Sequence, residues 1–292
     1  MKQLFIHIGD SKTGTSTIQK FLTENRVKNE SNGFLYSRQG LLASHGIANH
    51  KLAFCINENR KEFHKDRKSL YDKLNNEILT SDCNKIVISS EGFSSLRTIE
   101  EITILRDLID PSIQVNIVVY LRRPDKWIES WYCQAVKNRP FIKASFEEFL
   151  PNHQGPALGV TLLYGEVFGD SSIVVRTFDK KEMYNNDLVS DFHNIIKENK
   201  VGNDIESINV SPDQSCIEIL RLLNKNLNID DKTRLSLYEI ILNNYNHSEN
   251  KKYFSTSRRI EIFNEYCFLI SEVEKRMFNG KSLFDISDLG TS

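Results

Sequence analysis

The chain has 292 residues, of which 39% are hydrophobic and 26% charged, the makeup of an ordinary folded protein and not of a disordered segment or a fibre. Lys and Arg number 38 against 39 Asp and Glu, a formal net charge of -1. That balance excludes a global basic field of the kind that draws proteins onto nucleic acid, so any anion must be recognised by a local arrangement.

Cys55, Cys83, Cys133, Cys216 and Cys267 contain no CxxC pair and leave one over if the rest were bridged, the pattern of reduced cytosolic thiols. The N-terminus meets His7 and Asp10 too early to supply the apolar core of a signal peptide, and no run approaches a membrane span. One cytoplasmic domain over residues 1–292 is expected, with an α/β core over 1–198 and a mainly helical extension over 199–292.

In chain order, Leu4 to Ile8 is a short apolar run, and Thr17 to Leu22 then takes up helical spacing through Ile18, Phe21 and Leu22. Residues 23–60 read as polar and irregular, with Gly33, Gly40, Gly46, His45 and His50, and form a candidate substrate rim. A charged helix is predicted from about Asn59 to Leu79. Strands follow at Lys85 to Ser89, Gln114 to Leu121 and Ser172 to Phe178, interleaved with helical patterns at Ile99 to Ile109, Trp127 to Val136 and Leu188 to Lys197. Alternation of this kind predicts a parallel, doubly wound sheet flanked by helices. Helices are also predicted from Pro212 to Leu223 and from Arg258 to Met277. Trp127 and Trp131, at helical spacing, read as core anchors.

The segment Gly9-Asp10-Ser11-Lys12-Thr13-Gly14-Thr15-Ser16-Thr17 lies between the first strand and the first helix, where backbone N–H groups and the helix dipole make an anion cradle. The nucleoside-triphosphatase pattern GxxxxGK[ST] would place a lysine where Thr15 stands, and here Lys12 has moved forward into the loop. A lysine inside the loop suits a phosphosulfate, which has no third phosphate. The same turn would also serve as a plain helix cap.

Lys12-Thr13-Gly14-Thr15-Ser16 resembles the phosphosulfate-binding loop of the sulfotransferases that use 3′-phosphoadenosine 5′-phosphosulfate (PAPS). The resemblance implies a P-loop-like fold in which Lys12, Thr13, Gly14, Thr15, Ser16 and Thr17 bind the donor. It also implies that Arg122, at a strand end, and Ser130, in the following helix, grip the 3′-phosphate. Read by themselves, Arg123-Pro124-Asp125 would be a capped helix start beside an arginine snorkelling from a strand. Phe178 matches an aromatic position near the adenine, although core packing would also account for it. The resemblance covers the N-terminal two-thirds of the chain and is nearest to bacterial polysaccharide-type members. It implies PAPS as donor, 3′-phosphoadenosine 5′-phosphate (PAP) as product, no required metal, and a carbohydrate hydroxyl or an amine as acceptor.

Such a transfer needs a base for the acceptor proton, worth about 10²–10⁴-fold in rate. Glu91 follows the second predicted strand at the edge where sites of such folds lie, and His50, in the rim, titrates near neutrality. His7, on the first strand, reads as a hydrogen-bonded core residue. Two rivals remain. In a small-molecule kinase Glu91 would be a metal carboxylate and Ser16 a magnesium ligand, but the loop-terminal lysine is missing. In a nucleotide-binding protein without turnover, Lys12, Arg122 and Ser130 would only bind.

Overall fold

The structure is a computed structural model that describes residues 1–42, 46–139, 141–150, 155–197, 212–245 and 253–290. His45 of the predicted rim lies outside the described residues. The strands are β1 (Gln3–His7), β2 (Phe34–Tyr36), β3 (Lys85–Ser89), β4 (Gln114–Leu121) and β5 (Ile173–Thr177). The helices begin with α1 (Thr15–Glu24), α2 (Arg26–Ser31), α3 (His50–Phe54), α4 (Arg67–Thr80), α5 (Ile99–Leu108), α6 (Pro124–Lys137) and α7 (Phe146–Phe149). They continue with α8 (Leu158–Phe168), α9 (Leu188–Lys197), α10 (Gln214–Asn226), α11 (Asp231–Asn244), α12 (Thr256–Glu265) and α13 (Cys267–Met277).

The chain divides into two compact units. One comprises Met1–Arg122, Ala157–Glu206 and Phe268–Phe284, and the other Arg123–Pro156, Ser207–Cys267 and Asp285–Ser292. The division therefore crosses the 198/199 boundary drawn from sequence, since α6 and α7 group with the second unit and most of α13 with the first.

The first unit is an α/β layer structure on a five-stranded sheet in the order β2-β3-β1-β4-β5, with every neighbouring pair parallel. Leu4, Ile6, Ile86, Ile88, Ile117 and Val119 are all fully buried. Successive strand residues point to opposite faces, so unbroken runs such as Ile86-Val87-Ile88 are what a sheet covered on both faces requires. The register sets His7 beside Ser89 on one side and Val118 on the other. The carboxyl ends of β1, β3, β4 and β5 thus release their loops along one edge.

Three sequence expectations are corrected here. Residues 23–60 are not irregular, because α2, β2 and α3 lie within them. The strand Phe34–Tyr36 has only three residues and exists through its pairing with Lys85–Val87, a contact no local pattern announces. The single helix expected from Arg258 to Met277 is two, α12 and α13, interrupted at Tyr266. Helix α8 escaped prediction because it is apolar nearly all round, the composition of a buried helix without a polar stripe. A Cβ at its Gly165 would come within 2.3 Å of the Met277 side chain, so the glycine permits that close approach. Among the described residues, no helix is long and apolar enough to cross a membrane.

The second unit packs α6, α7, α10, α11 and α12 around an aromatic core that includes Trp127, Tyr132, Phe146, Phe149, Tyr238 and Phe254. Ring centroids lie 4.9 Å apart for Tyr132 and Phe146 and 4.7 Å for Phe146 and Phe254, within the range of favourable aromatic pairing. Trp127 is buried and stacks on Trp131. The start of α6 is held by charges. Asp125 is fully buried between Arg123, at 2.7 Å, and Arg259, at 2.5 Å. Arg259 also reaches Glu129 at 2.6 Å, and Arg123 forks onto Asp288. The unexpected α11 is capped by Asp230, whose carboxylate accepts from the Thr233 N–H at 3.0 Å.

Candidate functional site

The loop joining β1 to α1 takes left-handed backbone at Gly9 (φ +51°), Lys12 (φ +70°) and Gly14 (φ +75°). Left-handed backbone is available to glycine without penalty, whereas at a residue such as Lys12 it stores about 1–3 kcal/mol of strain. Gly14 is the N-cap of α1 and has no side chain with which to cap it; its carbonyl accepts from the Thr17 N–H at 3.0 Å, which leaves the Thr15 and Ser16 N–H groups to face another acceptor. A Cβ at Gly14 would sit 2.3 Å from Leu188 Cδ2 and 3.1 Å from Phe178 Cε2, so the position demands glycine for space as well as for φ.

The loop's hydroxyls hold its own backbone. Thr13 and Thr15 both donate to the Asp10 carbonyl, at 2.7 and 3.2 Å, and both are buried. The Asp10 carboxylate accepts from the Ala157 N–H at 3.0 Å, just before α8. The acid of the β1–α1 loop is thereby tied to a helix start, where negative charge is favoured. Ser16 is exposed, and Thr17 is half-buried on the first turn of α1.

Arg122, directly after β4, is half-buried and donates to the Lys12 carbonyl at 3.1 Å. Its guanidinium carbon lies 5.6 Å from the centroid of the Phe178 ring, directly after β5. Lys12, Gly14, Arg122 and Phe178, which come from three separate loops, therefore meet at the carboxyl edge of the sheet. Ser130 stands half-buried in α6, in the second unit.

The two candidate bases come close to one another along the chain's fold. Glu91 opens a 3-10 turn after β3, and its Oε2 accepts from Gln19 Nε2 at 3.2 Å. The His50 ring, at the start of α3, hydrogen-bonds through Nδ1 to Ser90 Oγ at 2.7 Å and stacks on Phe54 at 5.4 Å. Asn49 sets that placement, donating to the Ser37 and Gln39 carbonyls and accepting from the Ser89 N–H at 2.9 Å. His7 is fully buried, its Nδ1 lies 2.9 Å from Ser89 Oγ, and burial draws its pKa down to about 3.

Asp10, Gln19, Asn49, Ser89 and Ser90 were not singled out from the sequence. For Gln19 a signal existed, because Thr15, Ile18, Gln19 and Leu22 form the buried stripe of α1. An amide on such a stripe must find polar partners or forfeit the hydrogen bonds it made with water.

No family model matches the chain. A protein of Archaeoglobus fulgidus, described only as uncharacterized, is 27% identical over 207 residues, which is 70% of this chain and 56% of that protein. The chain thus spans 56% of the length of the relative it matches. A solved structure reported with the PezAT chromosomal toxin-antitoxin system of Streptococcus pneumoniae aligns with 82% of this chain and 87% of its own, at 12% identity and a TM-score of 0.33. Both are likenesses without a stated chemistry that passes to this chain, and its function is argued from the loop, Arg122, Phe178 and Glu91.

Proposed function

We propose that this chain is a PAPS-dependent sulfotransferase with a P-loop-type core, acting in the cytosol on a hydroxyl or amine of a sugar in a polysaccharide, glycolipid or glycan precursor. The observation that carries the proposal is the meeting of Lys12, Arg122 and Phe178, three positions matched to that family independently along the chain and brought together at one sheet edge.

The residues present fit such a donor. The Thr15 and Ser16 N–H groups at the start of α1 and the Lys12 ammonium suit the phosphosulfate. Arg122 offers a planar fork to a phosphate, and the Phe178 face offers a surface to an adenine ring. Bound PAPS supplies a sulfuryl group joined to phosphate through a bridging oxygen. Lys12 and the loop amides stabilise negative charge that grows on the phosphate side, through donors already in place before reaction. Glu91 takes the proton of the acceptor, and His50, beside it at Ser90, is the other candidate for that role.

Calorimetric titration of the full chain with PAP, beside ATP with magnesium, tests the proposal. PAP binding in the absence of metal, without ATP binding, is the expected result. Binding of ATP with magnesium alone would overturn it in favour of a kinase.

A further inference from the structure

Four polar side chains beneath the loop form one string. Gln19 Nε2 lies 3.2 Å from Ser89 Oγ and 3.2 Å from Glu91 Oε2, and Ser89 Oγ lies 2.9 Å from His7 Nδ1. Gln19 is 2% exposed, and His7 and Ser89 are fully buried. We propose that Gln19 is the positioning residue for Glu91, acting through this string, an inference that rests on the sulfotransferase reading above.

The direction of the two Gln19 bonds follows from the donors available. An ionised Glu91 only accepts, so the Gln19 amide must turn its NH₂ and not its oxygen towards Oε2. The second proton of that same nitrogen goes to Ser89 Oγ. The Ser89 hydroxyl and His7 Nδ1 share the last bond of the string, which either atom can donate according to the imidazole tautomer. His7 Nε2 is buried with no hydrogen-bond partner among the described residues, and its ring lies near those of Phe192 and Tyr120. Burial keeps that imidazole neutral, with a pKa of about 3.

An amide stands in the middle of the string, so no proton passes from Glu91 to His7. The string is a fixed brace. It links β1, β3 and α1 and presents one donor to one oxygen of the carboxylate. In the transfer step the acceptor oxygen forms the new bond to sulfur, and the bond from sulfur to the bridging phosphate oxygen breaks with its electron pair left on the phosphate. The acceptor's proton goes to the Glu91 carboxylate, which the brace holds in place.

The test measures PAP release from PAPS by the full chain, with water or a panel of mono- and disaccharides as acceptor, for the wild type, Gln19→Leu, Glu91→Gln and the double variant. Gln19→Leu should lower kcat by roughly 10- to 100-fold, the range that misplacement of a reacting group produces. The KM for PAPS and the calorimetric Kd for PAP should stay within about threefold, because those contacts lie in the loop. On the Glu91→Gln background, Gln19→Leu should bring no further loss, since a residue acting through Glu91 has nothing left to act on. Gln19→Glu keeps the side-chain length, sets a carboxylate against Glu91, and should lower kcat at least as far, which guards against a misfolded Leu variant. Losses that multiply in the double variant, or a PAP affinity that falls as far as kcat, overturn the role of Gln19 alone. A wild type that neither binds PAP nor releases it overturns the sulfotransferase reading and this inference with it.

Discussion

The Arg122 guanidinium donates to the Lys12 carbonyl at 3.1 Å, so the residue that follows β4 also fixes the backbone of the β1–α1 loop at its strained position. One side chain therefore shapes the loop and, under the proposed function, would also hold the donor's phosphate. Replacing Arg122 with Ala should weaken PAP binding by roughly 10- to 100-fold, the loss of charge-assisted bonds worth about 1.5–3 kcal/mol. Arg122→Lys should recover only part of it, because an ammonium cannot both reach Lys12 and lie flat over Phe178. Calorimetry on both variants decides, and equal affinities for Lys and Arg would remove the planar-fork role.

Gly14→Ala should be destabilising by about 1–3 kcal/mol, from left-handed backbone strain and from overpacking. The added methyl would strike Leu188 Cδ2, 2.3 Å away, so α9 or the loop must shift. Urea denaturation measures the combined cost. A variant as stable as the wild type would show that the loop can relax away from α9.

Glu91→Gln and His50→Ala separate the two bases. The expected outcome is a fall in kcat of at least 100-fold for Glu91→Gln with PAP affinity retained, and a change of less than about fivefold for His50→Ala, on the scale of positioned acid–base catalysis. Steady-state PAP release checks it. The reverse pattern assigns the proton to His50 and removes the role given to Gln19.

In the second unit, Asp125→Ala should cost about 3–5 kcal/mol, because it strands Arg123 and Arg259 in a buried place without their shared partner. Burial pushes the Asp125 carboxyl up, and bonds first to Arg123 and then to Arg259 more than offset it, so its pKa is lowered in the fold. A depressed carboxyl stabilises above its unfolded value near 4 and loses that contribution as pH falls from there through its lower folded value. Chemical denaturation at neutral pH reads the cost, and a loss below about 1 kcal/mol would mean that the arginines find other partners.

His7 adds a loss in the same direction, beginning at a higher pH. Its folded pKa, about 3, is below the ordinary histidine value of 6.5, so the unfolded chain binds the proton first. The resulting stability is full above pH 6.5 and declines as pH falls towards 3, a loss of about 2 kcal/mol by pH 5. Denaturation at pH 7.5 and 5.0 should show this difference in the wild type and a smaller one in His7→Gln. An unchanged difference would assign the pH dependence to other groups.

The sequence by itself determined the sheet class, the strands β1, β3, β4 and β5, the loop from Gly9 to Thr17, and the candidate roles of Lys12, Arg122, Phe178 and Glu91. These are legible because they rest on local rules: unbroken apolar runs, glycines where backbone turns left-handed, and cations placed at strand ends. Only the tertiary structure decided that β2 exists, that α8 is a helix, and that Arg122 lies over Phe178. It alone showed the hydrogen-bonded string that runs from His7 through Ser89 and Gln19 to Glu91. Each of those depends on pairing between segments far apart in the chain, where hydrogen-bond donors and ring faces find partners that no window of neighbouring residues contains.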